Sequence, residues 1–502
     1  MSAIQVKEGR FIDCHDRHVL LHGINMVCKD VSRGYIGEWD LSVFHKLYSW
    51  GFNVVRLGVI WDGVEPNPGQ YDLQYLRRLR QVIQWAQEAG LYVFLDMHQD
   101  LFSASFGDGA PAWATLTDGL AYEPYPLWSD AYLHNEAVQR AFDHFWNNSK
   151  ATDGIGLQDH YAAAWRKVAE ELGSEPNVIG YDLMNEPFMG SSVQQLLEPL
   201  MAQMNSLVAK SAGSKSNAGL IVDKFAAAWS QSEEKLELFR MLEDKDSFKA
   251  FLHALEPGQQ AFEAHQLMNM YGRVAHAIRE VDDSGILFLE TNLFANMGVH
   301  SGIEPILSAN GKRDPQQAYA PHGYDLVTDT SHASAGSKAR VSLLFDHHEH
   351  TRQRLSMPML VGEWGAYYGS MDTQEAALHV KETFERLLCS DTYWSYDDAA
   401  VDQYPSFEGI KRGLPQAVAG VLLHYQYDAE ACGFRMTWEE QPNEQPTLVY
   451  LPHMDKMEQS TIELTPHGTG CSLQVIDGSE AGFLSIPACC TGRRELVVRT
   501  RS

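Results

Sequence analysis

The sequence predicts an α/β protein, a (β/α)8 TIM barrel followed by a C-terminal antiparallel β-sandwich. Two observations lead to this prediction. Apolar runs typical of buried strands alternate with amphipathic helical segments along most of the chain, which is the rhythm of parallel βαβ units. From about Leu414 the chain changes to short strands without intervening helices: VAGVLLHYQYD, CGFRMTWEE, PTLVYLP, STIELT, CSLQVID, GFLSIP and ELVVRT. We therefore assign residues 1–405 to the barrel and residues 406–502 to the sandwich.

Eight strand candidates, the number that closes such a barrel, occur in order along the chain. They are VLLHGINM, NVVRLGVIW, LYVFLDMH, VIGYDLMNE, ILFLETN, AYAPHGYD, MLVGEW and DTYWSYD. Helical segments with apolar residues three and four positions apart lie between them, including Trp39–Gly51, Gln74–Gly90, Tyr161–Gly173 and Gln374–Leu388. Near the N-terminus, GRFIDCHDRHVLLHG is typical of a hairpin, and we expect it to close the amino-terminal mouth of the barrel.

One segment exceeds a minimal barrel. A helical insertion at about residues 190–265 follows the fourth strand and contains the charged stretch Ser230–His265. Loops that follow the strands form the active-site face of such barrels. The insertion is therefore either a lid or wall beside the cleft or an ordinary solvated helical excursion, and the sequence leaves both interpretations open.

The composition excludes two classes of partner. The chain has 39 basic and 66 acidic residues, for a formal net charge of −27. Nucleic acids and anionic membrane surfaces are polyanions that would repel such a chain, so a neutral substrate fits better. The 12 tryptophans and 21 tyrosines exceed what packing alone would favour, and they offer flat faces on which sugar rings stack.

The sequence also suggests a cellular location. The N-terminal segment lacks an apolar run between basic residues and a cleavage site, so we expect a cytoplasmic protein without a secretory signal. No stretch approaches eighteen consecutive apolar residues, which predicts no integral membrane segment. The seven cysteines are odd in number and have no CxxC spacing, as expected of reduced thiols. The oligomeric state stays open.

Two of the predicted barrel strands end in a glutamate. VIGYDLMNE ends at Glu186, and MLVGEW reaches Glu363. A carboxylate at the end of a buried strand is costly unless the site uses it. Cleavage of a glycosidic bond with retention needs one carboxylic acid to protonate the leaving oxygen and one carboxylate, about 5 Å away, to attack the anomeric carbon. Two strand ends of one barrel can supply that spacing, so the pair predicts a glycosidase; two unrelated, ion-paired glutamates are the alternative.

Other residues extend this pattern. In the order and strand positions of glycoside hydrolase family 5, the chain has Arg56 in FNVVRLGVIWDGVEP, His98 in LDMHQD, Asn185-Glu186-Pro187, His322 and Tyr324 in APHGYD, Glu363 in LVGEWG and Trp394 in TYWSYD. Within that family the chain resembles the endoglycoceramidase and glycolipid β-glycosidase branch, through GINMVCKD, HQDLFSASFGDGAPAWATLTDG and RGLPQAVAGVLLHYQYDAEACGFRMTW. The resemblance spans nearly the whole chain. It implies a retaining β-glycosidase that needs no cofactor and no metal.

The resemblance also implies roles for the matching residues. Glu186 resembles the acid/base of the family and Glu363 resembles the nucleophile. Glu186 must carry a proton to act as an acid, and it can then act as a base once Glu363 has lost its charge by glycosylation. Arg56 and Tyr324 are expected to hold Glu363 ionised, and Asn185 to bond the sugar 2-hydroxyl.

The remaining predicted substrate-binding residues are Lys29, His98, Asp100, Trp146, His322 and Trp394. In the glycolipid branch, the positions that match Lys29 and Asp100 contact hydroxyls of the sugar beside the scissile bond, and charge-assisted hydrogen bonds suit that task. The two histidines stand at strand ends, which favours a site role over a core role. The two tryptophans are candidate stacking platforms.

Three functions stay open at this point. The first is an enzyme that cleaves the bond between a sugar, either glucose or an oligosaccharide, and a ceramide-like lipid. The second is an endo-β-glucanase or general β-glucosidase of the same family, which would act on non-lipid glycosides. The third is a non-catalytic carbohydrate- or lipid-binding protein on an enzyme scaffold. A lipid aglycone needs a wide apolar channel on the Glu186 side, built from the loops after the Glu186 strand and its neighbours. We expect parts of the insertion, with Phe188 and Met189 near its start, to lie beside this opening.

Overall fold

The structure is a computed structural model that describes residues 3–211, 239–308, 310–328, 336–396, 400–454, 460–466, 470–489 and 491–500. Three short strands come first: β1 (Gln5–Lys7), β2 (Arg10–Ile12) and β3 (His18–Val19). The barrel strands follow, and they are β4 (His22–Met26), β5 (Val54–Ile60), β6 (Tyr92–His98), β7 (Val178–Asp182), β8 (Ile286–Leu289), β9 (Gln317–Tyr319), β10 (His322–Gly323), β11 (Leu360–Val361), β12 (Glu363–Trp364) and β13 (Ser390–Tyr393).

These strands form the predicted barrel. The hydrogen-bonded order β11-β13-β4-β5-β6-β7-β8-β9 is parallel throughout, and a parallel bridge between Tyr319 and Met359 closes it. The sixth barrel position consists of β9 and β10 and the seventh of β11 and β12. Beyond the breaks, β10 pairs with β12, with His322 opposite Glu363. Two predicted site residues therefore lie side by side at the carboxyl end of the barrel.

The helices are α1 (Leu41–Ser49), α2 (Trp61–Val64), α3 (Leu73–Ala89), α4 (Asp130–His134), α5 (Glu136–Trp146), α6 (Leu157–Leu172), α7 (Gln194–Ser211), α8 (Lys245–Phe262), α9 (Met268–Arg279), α10 (Lys338–Leu355), α11 (Gln374–Leu387) and α12 (Phe407–Ile410). A π-helical turn, Glu263–Leu267, joins α8 to α9. The predicted helices are present with shifted ends. For example, α1 begins at Leu41 rather than Trp39 because the Asp40 side chain accepts the first free backbone N–H groups and becomes the N-cap.

The N-terminal hairpin closes the amino-terminal mouth of the barrel, as predicted. Phe11 on β2 has its ring centroid 6.2 Å from that of Phe288 on β8. Both belong to an apolar cluster with residues of the barrel strands, including Val54, Phe94 and Ile179. The hairpin has a second role that the sequence did not predict. β3 pairs with β14 (Leu414–Val418), so the hairpin also extends a sheet of the C-terminal region.

The C-terminal region contains two antiparallel sheets, as predicted. Its further strands are β15 (Gly420–Asp428), β16 (Gly433–Glu440), β17 (Thr447–Leu451), β18 (Ser460–Thr465), β19 (Ser472–Val475), β20 (Gly482–Ile486) and β21 (Gly492–Thr500). One sheet has the order β1-β2-β3-β14-β17-β20-β19 and the other β15-β16-β21-β18. The run VAGVLLHYQYD, predicted as one strand, is divided between the sheets at Gly420, whose φ of +126° suits glycine.

The insertion is helical where the structure describes it. α7 packs against α8, and α8 buries Phe248, Phe251 and Leu255. Residues 212–238, and with them the first part of the predicted stretch Ser230–His265, lie outside the described residues.

Among the helices that the structure describes, none is long and apolar enough to cross a bilayer.

Candidate active site

Glu186 and Glu363 lie together at the carboxyl end of the barrel. Glu363 begins β12, and Glu186 follows the end of β7. One side-chain oxygen of each comes within 4.8 Å of the other, and only 6% of Glu186 and 4% of Glu363 is exposed. Retaining glycosidases place the two carboxyl groups about 5 Å apart, whereas inverting enzymes need roughly 6.5–9.5 Å to admit a water molecule. The pair therefore has the separation of the retaining class.

Glu363 is held by two donors. Arg56 Nη1 donates to its Oε1 over 2.6 Å, and the Tyr324 hydroxyl donates to its Oε2 over 2.8 Å. Burial raises the pKa of Glu363, and the cations His322 and Arg56 oppose this rise without cancelling it. Glu363 therefore needs a higher pH than an ordinary glutamate to become the carboxylate that a nucleophile requires.

Glu186 has different partners. Asn296 Nδ2 donates to its Oε1 over 2.6 Å, and His322 Nδ1 lies 2.9 Å from the same oxygen. Its backbone has a φ of +40°, and its N–H donates to Glu290 Oε2 over 2.7 Å. A left-handed backbone is costly for a non-glycine residue, and such conformations cluster at active sites. Sequence reasoning missed Asn296, because it lies in a loop after β8 rather than at a strand end.

Arg56 is fully buried and is the cation beside Glu363. Besides Glu363, its guanidinium meets three acids that the sequence analysis did not single out: Asp96 at 3.0 Å, Asp182 at 2.8 Å and Glu290 at 2.6 Å. Burial alone would lower the pKa of Arg56, but the acids raise it well above its usual value. All three acids lie at or near the end of a barrel strand, which is the signal that identified the two glutamates of the pair.

We expect Arg56→Met to destabilise the fold by about 3–5 kcal/mol, because the change leaves buried carboxylates without their cation. Urea unfolding of the wild-type and variant proteins measures this difference. The matched control is Arg435→Met, which removes an exposed ion pair with Glu495 and should cost at most about 1 kcal/mol. Equal losses in the two variants would contradict the assignment of Arg56 as the central cation.

One wall of the site combines a flat ring with charged groups. The His98 ring stacks on Trp394, with centroids 5.3 Å and planes 11° apart, and Lys29 Nζ lies 4.8 Å from the Trp394 ring centroid. Lys29 also forms an ion pair with Asp100 and lies 3.8 Å from Asp108, a buried acid that the sequence analysis missed. Burial raises the pKa of Asp108 to about 6, although the Lys29 cation opposes the rise. All five residues line the cavity.

Asn185 and Tyr324 line the cavity, but two other predicted substrate-binding residues, Trp146 and His322, do not. Trp146 is buried on α5, where its indole N–H donates to the Phe188 carbonyl over 2.8 Å and its ring packs edge-on against Phe262. The prediction that Trp146 stacks on a sugar is therefore wrong, because the ring belongs to the core face of a helix. His322 is buried and does not line the cavity, and its ring contacts Glu186 and Glu363 instead.

The cavity has a volume of about 520 Å³ and an extensive apolar wall. The wall comes from segments after β6 (Leu127, Trp128, Leu133), after β8 (Leu293, Phe294, Met297) and after β10 and β12 (Leu326, Tyr368). No described residue of the insertion lines it, and Phe188 and Met189 are buried. The wall therefore comes from loops after β6 and β8, the neighbours of the Glu186 strand, as predicted, whereas Phe188 packs behind it against Tyr132 and Phe294 instead of lining it. Residues 212–238 of the insertion lie outside the described residues.

Among the residues that the structure describes, three groups of side chains lie close enough together to hold a metal ion: His98, Asp100 and Asp108; Glu186, His322 and Glu363; and Asp96, Asp182 and Glu290. Each group already contacts a protein cation: Lys29 pairs with Asp100 and Asp108 of the first, and Arg56 pairs with Glu363 of the second and with the three acids of the third. These cations offset the negative charge and would repel a metal ion, so the donor sets fit ion-pair networks better than metal sites. A reaction without metal stays a prediction.

Comparison with known proteins agrees with this geometry. The family model described as "Cellulase (glycosyl hydrolase family 5)" matches residues 21–400, and that of the glycoside hydrolase family 5 C-terminal domain matches residues 412–492. The chain belongs to glycoside hydrolase family 5. The family predicted from the strand-end residues is thereby confirmed, and so is the barrel with a second, C-terminal domain.

Relatives of this family 5 chain include glycolipid-cleaving enzymes by name. The endoglycoceramidase of Hydra vulgaris is 30% identical in an alignment of 221 residues. This alignment covers 38% of this chain and 41% of that protein. Endoglycoceramidase I of Rhodococcus hoagii (strain 103S) is 35% identical over 198 residues, 38% of each chain. The glucosylceramidase of Aspergillus fumigatus is 33% identical over 247 residues, 37% of this chain and 32% of that protein. The chain thus spans about two fifths or less of these curated relatives.

Solved structures match over the whole length. Endo-glycoceramidase II from Rhodococcus sp. in complex with a five-membered iminocyclitol superimposes with a TM-score of 0.73 at 27% identity, covering 98% of this chain and 99% of that chain. The same protein has been solved as a lactosyl-enzyme intermediate, at a TM-score of 0.73 and 27% identity over 98% of this chain and 99% of that one. Its complex with ganglioside GM3 matches at 26% identity and a TM-score of 0.73.

Proposed function

We propose that this family 5 chain is a retaining β-glycosidase that cleaves the bond between a sugar and a ceramide-like lipid, with Glu363 as nucleophile and Glu186 as acid/base. One observation carries the assignment, namely the different hydrogen bonding of two carboxyl groups that come within 4.8 Å of each other. Glu363 receives one donor on each oxygen, from Arg56 and Tyr324, which favours its ionised form. Glu186 receives its side-chain contacts at Oε1 and so keeps Oε2 for the transferable proton.

In the first step, a Glu363 oxygen attacks the anomeric carbon while Glu186 gives its proton to the glycosidic oxygen. The bond between the anomeric carbon and that oxygen breaks, the lipid leaves as an alcohol, and the sugar becomes an ester of Glu363. Trp394 offers a platform for the sugar ring, and Lys29 and Asp100 offer a donor and an acceptor for its hydroxyls.

In the second step, Glu186 acts as a base. It takes a proton from a water molecule, the water oxygen attacks the anomeric carbon, and the bond to Glu363 breaks. Glycosylation has removed the charge of Glu363, so Glu186 can be ionised in this step without repulsion from a neighbouring carboxylate. Two successive inversions at the anomeric carbon give retention of configuration.

The apolar wall of the cavity supports a lipid as the leaving group. Leu293, Phe294 and Met297 belong to the same segment as Asn296, which contacts Glu186, the residue that protonates the leaving oxygen. A polysaccharide would need polar groups there to match its hydroxyls, whereas a lipid chain gains about 0.8 kcal/mol for each buried methylene. The names of the relatives, endoglycoceramidase and glucosylceramidase, also support this substrate class.

We expect KM for alkyl β-glucosides to fall as the alkyl chain lengthens, by up to about fourfold for each methylene that becomes buried. Initial rates measured below the micelle-forming concentration of each glucoside give this dependence. Trp128→Ala should weaken the dependence, because Trp128 lines the apolar wall. Leu423→Ala should leave it unchanged, because Leu423 is exposed on β15 in the C-terminal sandwich.

An opposite result would favour the second predicted function. If KM does not respond to the length of the alkyl chain, and added glucose units on a cello-oligosaccharide lower it instead, the protein is an endo-β-glucanase. If neither substrate class is hydrolysed, the protein is a non-catalytic binding protein.

A further inference from the structure

Glu290 is a buried acid that follows β8 and does not line the cavity; only 1% of it is exposed. Its Oε1 accepts a hydrogen bond from Arg56 Nη2 over 2.6 Å, and its Oε2 accepts one from the backbone N–H of Glu186 over 2.7 Å. His322 Nε2 lies 3.2 Å from Oε1. One carboxylate therefore contacts the arginine that binds the nucleophile, the backbone of the acid/base and the histidine between them.

His322 lies between the catalytic pair and Glu290. Its Nδ1 is 2.9 Å from Glu186 Oε1 and 3.5 Å from Glu363 Oε2, so both ring nitrogens face carboxyl groups. Such an imidazole is most stable with a proton on each nitrogen, because both nitrogens are then donors. Burial alone would lower the pKa of His322, but the charges of Glu290 and Glu363 raise it well above its usual value.

The other ionisable groups that face His322 come from several elements of the barrel. His348 on α10 has its Nε2 2.9 Å from the His322 carbonyl oxygen, and burial lowers the pKa of His348 to about 3, so it is neutral. The Tyr324 ring lies edge-on to His322, with centroids 6.4 Å apart. Arg56 pairs with Asp182 over 2.8 Å, and its Nη2 contacts the same Glu290 oxygen, Oε1, as His322 Nε2 does. Among the charges that act on His322, that of Glu290 raises its pKa most.

We propose that Glu290 is a positioning residue that keeps His322 protonated on both ring nitrogens, so that Nδ1–H faces Glu186 and Glu363 throughout the reaction. The proposal rests on the catalytic roles proposed above for the two glutamates. Before bond cleavage, Nδ1–H contacts the unprotonated Oε1 of neutral Glu186, and the transferable proton stays on Oε2. After transfer, the same imidazolium offsets the new charge of Glu186. No proton moves to or from the histidine in either step.

The hydrogen bond from the Glu186 backbone N–H to Glu290 also helps to hold Glu186 in its orientation. Glu186 is held at a φ of +40°, and the carboxylate of Glu290 accepts the N–H of that strained residue. A charged acceptor strengthens such a hydrogen bond. Glu290 therefore stabilises both the orientation of the acid/base and the charge of the histidine that contacts it.

The test is the pH dependence of kcat/KM for Glu290→Gln, with a β-glucoside that the wild-type protein hydrolyses. In the wild-type protein the alkaline limb reports the loss of the Glu186 proton, because His322 keeps both ring protons to a higher pH. Without the Glu290 charge, the pKa of His322 falls, so His322 loses a ring proton before Glu186 does and then sets the limb. We expect the alkaline limb to move down by roughly 1 pH unit or more, and kcat to fall more than KM rises. Glu290→Asp keeps the charge, so its alkaline limb should stay close to that of the wild-type protein.

Glu263→Gln is a matched control. Glu263 is also a buried glutamate, and it accepts hydrogen bonds from the backbone N–H groups of Asn292 and Gly302, in the segment after β8. Its side-chain contacts are with that segment and α8, not with Arg56, Glu186 or His322. Its substitution should affect stability without moving the alkaline limb.

A downward shift in Glu290→Gln alone supports the proposal. A uniform loss of activity at every pH, with the limb unmoved, overturns it and leaves Glu290 a structural residue. If Glu290→Gln does not fold, ¹⁵N-histidine NMR of the wild-type protein decides, because the proposal requires His322 to keep both ring protons at about pH 8. Failure of the wild-type protein to hydrolyse any β-glycoside is a separate result that refutes the proposed function itself.

Discussion

Replacement of Glu363 by glutamine is expected to lower the rate of glycoside hydrolysis by at least about a thousandfold. The amide keeps the volume of the side chain and can still accept a hydrogen bond from Arg56 or Tyr324, so the fold should stay intact. It cannot form the bond to the anomeric carbon, and no glycosyl-enzyme ester is made. Steady-state rates with an aryl β-glucoside measure the loss, and circular dichroism and thermal unfolding report on the fold.

Glu385→Gln is the matched control for this experiment. Glu385 is a buried glutamate on α11 that pairs with Lys381 over 3.3 Å, outside the cavity. Its replacement should leave the chemical step intact. Rates of the wild-type level in Glu363→Gln, after mass spectrometry has excluded deamidation, would refute the nucleophile role. Glu363→Gly and Glu363→Ser should instead use a glycosyl fluoride of inverted anomeric configuration to synthesise glycosides.

Replacement of Glu186 by alanine should lower activity on alkyl and lipid glycosides by about 10²–10⁴-fold. A lipid alcohol is a poor leaving group, and its departure needs the proton that Glu186 supplies. Aryl glycosides with acidic phenol leaving groups depart without that proton, so the glycosylation step should be affected far less with them. Pre-steady-state measurement of phenol release separates this step from hydrolysis of the ester.

The pH profile gives a second measurement on the same variant. Loss of the acid should remove the alkaline limb of the profile. The acidic limb should stay, because Glu363 still has to be ionised and its raised pKa places the loss of activity at a higher pH than for an ordinary glutamate. Equal losses with aryl and alkyl substrates in the first step would rule out the acid role of Glu186.

The order of residues along the barrel strands made much of the site predictable. Each strand of a parallel barrel ends at the same face, so the polar residues at strand ends meet there whatever the loops do. This rule predicted Glu186 and Glu363, whereas Arg56, which lies inside β5, was predicted by the resemblance to family 5. The same rule applies to Asp96 and Glu290, yet the sequence did not indicate that both of them surround one arginine. That arrangement requires the closed barrel to bring the end of β8 close to the adjacent strands β5 and β6.

The wrong predictions concern residues whose position depends on packing between distant segments. Trp146 is aromatic and close to other apolar residues in sequence, as a stacking platform or a core residue would be. Only the packing of α5 against Phe188 and Phe262 shows that it is core. Similarly, Phe188 and Met189 follow the strand that precedes Glu186, but both are buried and do not line the cavity, and segments after the neighbouring strands β6 and β8 form the apolar wall.

By itself, the sequence determined the alternation of strands and helices, the change to a sandwich near Leu414, the family and the two strand-end glutamates that we propose as the catalytic pair. These features follow from local periodicity and from the polar residues at strand ends, which report the face of each element that is buried. The tertiary structure decided that the N-terminal hairpin serves both the barrel and the sandwich, that four acids share Arg56, and that Glu290 contacts His322. Such contacts depend on which elements the closed barrel brings together, and residues far apart in the chain carry no local pattern that names their partners.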